Sequence, residues 1–478
     1  MARGGLRRFP QEICILGRCP CAVAGEAHLG WQWVISGLSV CMSRTRREHR
    51  LNSLTRYFGV SYGRPSRPAL RRFLVLLIAS GASCAFEKAD LPSAMFSAVE
   101  SYETPALEIL VDKYRKILND DVRVRLPMQW AETEANLGSA LEALGERETG
   151  TERYVEAISA FNEALKIYTH DRAPRQRAVV LTNSGVALTR LGDRAGFLSS
   201  SEEAIKAYRE ALSEFTRDEI PLEWGVVKTN IGTAFLLLGE RKGGIVEIQE
   251  AIQAFQQALF VYTPIGSPAA WASAQRNLAN ALVQRGEREN GNSSIVEAIA
   301  AYREAIRVYS RSAVPHEWAK TQMALANALE ISGERTNGTA ELEDAVEALH
   351  GVLSELPRER FPNEWAPAQM RLANALQVQG ERGAGTDKLK QAIDAYRSAL
   401  ESTTRAVNPH DWALVKSNLC NALRALGSRG NQRGALEEAV AACREALQEF
   451  TRAQTPREWG GVQLNLANAL ALRTRSLL

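Results

Sequence analysis

An all-α solenoid of stacked antiparallel helical hairpins is the fold this sequence predicts, and three observations predict it. Prolines recur at 127, 174, 221, 268, 315, 362, 409 and 456, always 47 residues apart. A tryptophan follows three residues after all but one of them, at Trp130, Trp224, Trp271, Trp318, Trp365, Trp412 and Trp459, with Arg177 in the remaining place. Apolar residues then repeat at helical spacing: Ala157, Ile158, Phe161, Ala164, Leu165 and Tyr168 of the first unit fall on one helical face. A fixed period of this length marks a stack of like units, none of which can bury its apolar face alone.

Each unit opens at its proline, whose missing N–H costs nothing in the first helical turn and whose fixed φ suits that turn. The first helix is expected to close at a Leu-Gly pair, Leu144-Gly145 in unit one. Gly145, Gly192, Gly239, Gly286, Gly333, Gly380 and Gly427 hold that place and are expected to supply left-handed caps. Two residues on lie Arg147, Arg194, Arg241, Arg288, Arg335, Arg382 and Arg429. With Glu146 and its equivalents they read as a ladder of charge pairs ordering the loop between helices. The second helix follows, and each tryptophan is expected to fill a seam between units.

Upstream, Leu107 to Leu118 with Tyr114 reads as an unpaired second helix that caps the first unit. Downstream, unit eight has Thr474 where the lattice calls for glycine and carries no second helix. Its lone helix caps unit seven, or leaves an apolar seam through which two copies associate, or marks a reading frame that ends early. The chain thus divides into a basic leader (1–86), an N-terminal capping region (87–126) and an array (127–478) of seven full units and a terminal half unit.

Composition, 45% hydrophobic and 24% charged, excludes disorder of the whole. The net charge of +3 conceals a split: residues 1–86 hold thirteen Arg, no Lys and three Glu (+10), so residues 87–478 carry 3 − 10 = −7. A mildly acidic array lacks the basic stripe that a duplex nucleic-acid binder needs, so no nucleic-acid partner is expected. Within the leader, Arg71-Arg72, the apolar run 73–79 and small residues to Ala85 have the layout of an export signal, too short to span a bilayer. Translation from Met42 would make 42–85 such a signal and the chain periplasmic or exported; otherwise the leader is an Arg-rich, mostly unfolded segment and the chain cytoplasmic. Cys14, Cys19, Cys21, Cys41 and Cys84 lie in the leader, and Cys420 and Cys443 in the array, which leaves the array without a disulfide framework. Cys14, Cys19 and Cys21 with His28 make a poor zinc set, and neither metal nor cofactor is expected.

Asn136-Leu137-Gly138 with Leu141, followed by Ala157, Phe161 and Ala164, resembles the tetratricopeptide repeat, whose signature is a Leu-Gly pair and then Ala, aromatic and Ala at these spacings. Asn277-Leu278-Ala279 with Ala298, Tyr302 and Ala305 repeats it. The resemblance covers 127 to about 470 and points to the long-repeat branch, similar to arrays in kinesin light chains and many bacterial proteins, because the ordinary unit has only 34 residues. HEAT repeats share the period range but lack these spacings. The resemblance implies a right-handed superhelical solenoid that works as a protein-protein interaction scaffold, with first helices lining a concave face.

In such arrays asparagines beside the Leu-Gly pair grip a peptide backbone or carboxylate. Carried over, these are Asn136, Asn183, Asn230, Asn277, Asn418 and Asn465 before the pair, and Asn280, Asn327, Asn374, Asn421 and Asn468 after it. Asparagine supplies both donor and acceptor, so a row of them reads an extended backbone without demanding a side-chain sequence. Arg276, Lys320 and Arg371 are expected on the same face, suited to an acidic or carboxylate-bearing peptide or protein. Units three to seven form the candidate groove. The alternative readings are asparagines that satisfy only their neighbours, and self-association through the C-terminal half unit.

Enzyme motifs fail. His316-Glu317 begins a metalloprotease pattern, but Lys320 stands where its second histidine is required. Gly380 and Gly385 have phosphate-loop spacing, but Thr386 stands in place of its lysine. The six histidines are scattered rather than gathered, and no enzyme activity is expected.

Overall fold

The protein is described by a computed structural model, in which residues 104–118, 120–430 and 432–475 are described; the leader, with its export segment and its cysteines, lies outside them. Helices α1 (Thr104–Ile117) and α2 (Asp120–Arg125) precede the repeats. The first helices of units one to eight are α3 (Pro127–Gly145), α5 (Pro174–Ala195), α7 (Pro221–Lys242), α9 (Pro268–Arg288), α11 (Pro315–Thr336), α13 (Pro362–Arg382), α15 (Pro409–Gly430) and α17 (Pro456–Arg475). The second helices of units one to seven are α4 (Glu152–Leu165), α6 (Leu198–Glu214), α8 (Ile245–Leu259), α10 (Ser293–Val308), α12 (Ala340–Glu355), α14 (Asp387–Ser402) and α16 (Arg433–Ala446). Among the described residues there is no strand.

Every first helix begins at its proline, and the residue before stands outside helical geometry, Leu126 at φ −134° and Ser267 at φ −146°, as a following pyrrolidine ring requires. Each first helix packs on its own second helix, and each second helix on the next first helix. Successive first helices also touch one another, more closely than successive second helices do, and so form the inner side of the stack. The result is an all-α solenoid of antiparallel hairpins. Leu107 and Val111 of α1 are buried in one apolar cluster with Trp130, Leu137 and Phe161 of unit one. Trp271 and Trp318 share another with Tyr262, Tyr309, Val352 and Leu356, drawn from units three to five, which places these tryptophans at seams.

The lattice glycines are not left-handed caps. Gly145 is the last residue of α3 and its neighbour Glu146 is right-handed, while α5, α7 and α11 run on past Gly192, Gly239 and Gly333. The left-handed residues come four positions later, at Gly196 (φ 77°), Gly243 (φ 67°) and Asn337 (φ 53°). The lattice glycine serves helix approach instead. A Cβ at Gly286 would stand 2.5 Å from Ile295, and one at Gly427 would stand 2.6 Å from Leu436, side chains of the second helix. A one-sequence reading sees a Leu-Gly pair near a helix end in either case; only the helix that follows distinguishes a cap from a contact.

The Arg ladder also differs from expectation, because each arginine reaches back one unit. Arg194 donates to the carbonyls of Gly145 (2.6 Å), Glu148 (2.7 Å) and Gly150 (2.8 Å). Arg382 donates to those of Gly333 (3.0 Å), Gly338 (3.0 Å) and Glu334 (3.2 Å), and Arg429 to those of Gly380, Gly385 and Glu381. A guanidinium fork thus satisfies the carbonyls left over at the end of the preceding first helix. Arg147 has no earlier unit and bonds the carbonyl of Ala143 in its own helix.

A second ladder escaped the sequence reading altogether. Four residues before the unit prolines, Arg123, Arg311, Arg358, Arg405 and Arg452 lie 4.7, 5.6, 5.6, 5.6 and 5.9 Å from the rings of Trp130, Trp318, Trp365, Trp412 and Trp459. Arg311 and Arg358 also pair with Glu355 and Glu401 at the ends of second helices, and Arg405 with Glu449 in the turn after α16. This ties these five tryptophans, by cation–π contact, to the loops that enter their units, whereas Trp224 meets Lys228 of its own helix.

Where no disulfide framework was expected, the array does carry one bond: Cys420 of α15 and Cys443 of α16 are joined. Their separation of 23 residues spans a whole loop between helices, so spacing alone did not bring them together.

Candidate partner-binding surface

Counting each proline as position 0, positions 9 and 12 of a first helix lie about one turn apart on one face. Position 12 holds Ser139, Val186 and Thr233 in units one to three, then Asn280, Asn327, Asn374 and Asn421. The structure joins position 9 of one unit to position 12 of the unit before. Asn183 Nδ2 donates to Ser139 Oγ at 3.5 Å, Arg371 donates to Asn327 Oδ1, and Asn418 Nδ2 donates to Asn374 Oδ1 at 3.3 Å. These bonds run between successive first helices and therefore along the inner side.

Second helices complete the row. Tyr302 of α10 donates to Asn280 Oδ1. The Tyr396 hydroxyl of α14 lies 2.6 Å from Asn374 Oδ1 and 3.0 Å from Gln377 Oε1. In unit seven the partner comes from the same first helix, where Arg424 donates to Asn421 Oδ1 at 2.7 Å. Burial pushes both tyrosine hydroxyls well above the ordinary phenol value, so they stay protonated. Arginine can only donate, so Asn327 must turn its carbonyl toward Arg371. The side-chain carbonyls of Asn280, Asn327, Asn374 and Asn421 are thereby taken, while among the described residues their NH2 groups donate to no protein atom. All four asparagines are half-buried.

The cations are less available than their number suggests. Arg276 pairs with Glu317, which also lies 3.9 Å from Lys320. Burial acts to raise the Glu317 carboxyl, but the Arg276 hydrogen bond and charge, with Lys320 and His316, outweigh it and hold the acid below its ordinary value. Arg276, Glu317 and Lys320 therefore carry one net positive charge between them. Arg371 faces Glu330, a buried acid whose carboxyl burial pushes up to about 8 against the pull of Arg371. One Glu330 oxygen has no hydrogen-bond partner. The reason lies in its second helix: Gln377, at the same position in unit six, meets the Tyr396 hydroxyl, whereas unit five has Leu349 where that tyrosine would stand.

Of the residues singled out in the sequence, Asn280, Asn327, Arg371, Asn374, Asn418 and Asn421 make the polar contacts described, Arg276 and Lys320 meet at Glu317, and Asn277 is half-buried with no hydrogen-bond partner among the described residues. Tyr302, Tyr396, Glu317, Glu330 and Gln377 were missed. Their signal was present in the lattice, since Tyr302 and Tyr396 occupy one register and Glu330 and Gln377 another, but a helical face in one dimension does not reveal which positions of two helices meet. The surface offers hydrogen-bond donors rather than a reacting group. Among the described residues no three His, Cys, Asp or Glu side chains gather to hold a metal ion, and no helix is long and apolar enough to cross a membrane.

A scan against protein-family models finds no match, and neither does a search of curated protein sequences. Solved structures similar to the chain are tetratricopeptide-repeat proteins. The C-terminal part of a repeat-containing protein of Cytophaga hutchinsonii is 15% identical, with 67% of this chain and 98% of that one covered and a TM-score of 0.39. A signal-transduction ATPase of Pyrococcus horikoshii with a tetratricopeptide repeat sensor is 11% identical, with 92% and 71% covered and a TM-score of 0.44. The TPR2AB domain of yeast Sti1, in complex with a pHSP90, is 14% identical, with 70% and 99% covered and a TM-score of 0.22. At these scores the description of the fold rests on the helices of this chain and their order.

Proposed function

We propose that the protein is a non-enzymatic interaction scaffold that binds an extended peptide segment of a partner protein along the inner side of units four to seven. The observation that carries this reading is the row of asparagines whose carbonyls are occupied within the fold and whose NH2 groups are not. Held this way, each amide is oriented before a partner arrives, which lowers the ordering cost of binding. The carbonyl oxygens of an extended main chain, spaced at regular intervals, are the complementary chemistry. Lys320 and Arg371 favour a carboxylate in that segment, from an acidic side chain or a chain terminus. With Arg276 engaged by Glu317, charge adds selectivity and the amide row supplies the grip.

The test is an array of extended twelve-residue peptides, neutral, acidic and basic, probed with the full chain and with its Asn327→Ala/Arg371→Ala/Asn374→Ala variant at matched helicity. Selective capture of acidic peptides by the unaltered chain, lost in the variant, supports the reading. Equal capture by both proteins places binding elsewhere. A second reading, association of two copies through α17, draws on Leu464, which is 62% exposed on that helix; a sedimentation coefficient that stays constant across a hundredfold range of concentration would remove it.

A further inference from the structure

Unit seven departs from the packing rule of its neighbours. At positions 11 and 34, units one to three set Gly138 against Phe161, Gly185 against Tyr208 and Gly232 against Phe255, so closely that a Cβ on the glycine would come within 2.5 to 2.6 Å of the ring. Units four and six carry Ala279 with Tyr302 and Ala373 with Tyr396 at the same two positions, all buried. Unit seven carries Cys420 and Cys443 there, both fully buried and joined, with Cα atoms 5.4 Å apart. Two thiols fill less space than a small residue and a ring, and an underfilled contact loses its dispersion attraction. The covalent bond replaces that contact between α15 and α16.

We propose that oxidation of Cys420 and Cys443 is a maturation step this protein requires, and that the bond holds α15, with its inner-face Asn418 and Asn421, in place. Each thiol releases one proton and one electron as the sulfur–sulfur bond forms. A disulfide-bearing thiol oxidase accepts both electrons and both protons and becomes a dithiol, passing through a mixed disulfide. Such an oxidant belongs to an oxidising compartment, where a chain with an export signal would arrive. Once buried, the bond is out of reach of attacking thiolates, so it acts structurally rather than as a redox catalyst. The proposal concerns the folding of unit seven and stands whether or not the asparagine row binds a peptide.

The test begins with the full chain isolated without reductant from its native cells, alkylated in denaturant, digested and weighed. Peptides containing residues 420 and 443 are expected as one joined species, about 2 Da lighter than the sum of the two thiol forms. Alkyl groups on both cysteines would overturn the proposal. Hydrogen exchange then compares the oxidised chain with the same chain reduced in denaturant, refolded in a phosphine reductant and shown by mass to carry two thiols at 420 and 443. Amides of α15 and α16 are expected to exchange about 100-fold faster when reduced, with units one to three unchanged. A Cys420→Ala/Cys443→Tyr variant, which copies units four and six, is expected to show no response to reductant. Equal protection of α15 and α16 in the oxidised and reduced chain would also overturn it.

Discussion

Units one to three and units four to seven share one lattice but use their inner sides differently. At position 12 the first group carries Ser139, Val186 and Thr233, and at position 11 it carries glycines pressed against aromatic rings. The second group carries asparagine at every position 12 and no glycine at position 11. Its inner side carries three separate sets of hydrogen bonds, Tyr302 to Asn280, Arg371 to Asn327, and Tyr396 and Asn418 to Asn374. A repeat fold tolerates this because each unit needs its neighbours' apolar faces, not their inner-face chemistry. Stability is therefore shared along the array, while recognition can be confined to part of it.

The largest expected effect breaks the packing of the first group. Gly232→Ala places a methyl 2.6 Å from the Phe255 ring, and such overpacking is expected to destabilise by about 2 kcal/mol, read from urea unfolding. The reverse change in the second group, Ala373→Gly, is expected to cost about 1–2 kcal/mol, from helix propensity and a lost buried methyl. A Gly232→Ala chain as stable as the unaltered one, or more stable, would show that the glycine answers no steric demand.

Next comes Glu330, the unsatisfied acid of the second group. Its folded carboxyl titrates near 8, above the ordinary value of 4.5, so between these pH values the folded state binds the proton that the unfolded state has released. Stability is therefore highest below about pH 4.5, falls as pH rises toward 8, and is flat beyond for this group. Glu330→Gln, which copies Gln377, is expected to abolish that slope and to stabilise the chain at pH 8 by roughly 1–3 kcal/mol. Thermal unfolding of both proteins at pH 5 and pH 8 measures it; a parallel pH dependence would contradict the assignment.

Removing one inter-unit cap is a smaller perturbation. Arg382→Ala leaves two carbonyls at the end of α11 and one in the loop after it without their guanidinium, but two of the three contacts are exposed and water can replace them, so a loss of about 1 kcal/mol is expected. Hydrogen exchange should show it at the end of α11 rather than in α13. Smallest of all is Asn374→Ala, expected to cost about 0.5 kcal/mol in chemical denaturation, because Gln377 still meets the Tyr396 hydroxyl.

How much of this was legible in the sequence follows from the lattice. A period of 47 residues fixes the hairpins, their order and the first-helix face that bears the asparagines, since these depend on local helical spacing and proline geometry. Contacts between helices were legible only where one side was marked. Arg194 stood out at once, yet its acceptors are the main-chain carbonyls of the previous unit, and a carbonyl leaves no mark in the sequence. The asparagines were visible as a row, but their orientation depends on Tyr302, Arg371 and Tyr396, which approach from another helix. Cys420 and Cys443 were visible individually, and what joined them was the shared register of positions 11 and 34, read only once α15 and α16 were seen side by side.

The central claim is that recognition belongs to the asparagine row of units four to seven and not to the equivalent positions of unit three. Calorimetric titration of one selected acidic peptide into three proteins tests it most directly: the unaltered chain, Asn327→Ala/Asn374→Ala, and Asn230→Ala/Thr233→Ala in unit three. The account predicts affinity about 30-fold weaker for the first variant, from two lost hydrogen bonds of about 1 kcal/mol each, and unchanged affinity for the second. Unchanged affinity in the first variant, or an equal loss in both, would contradict it.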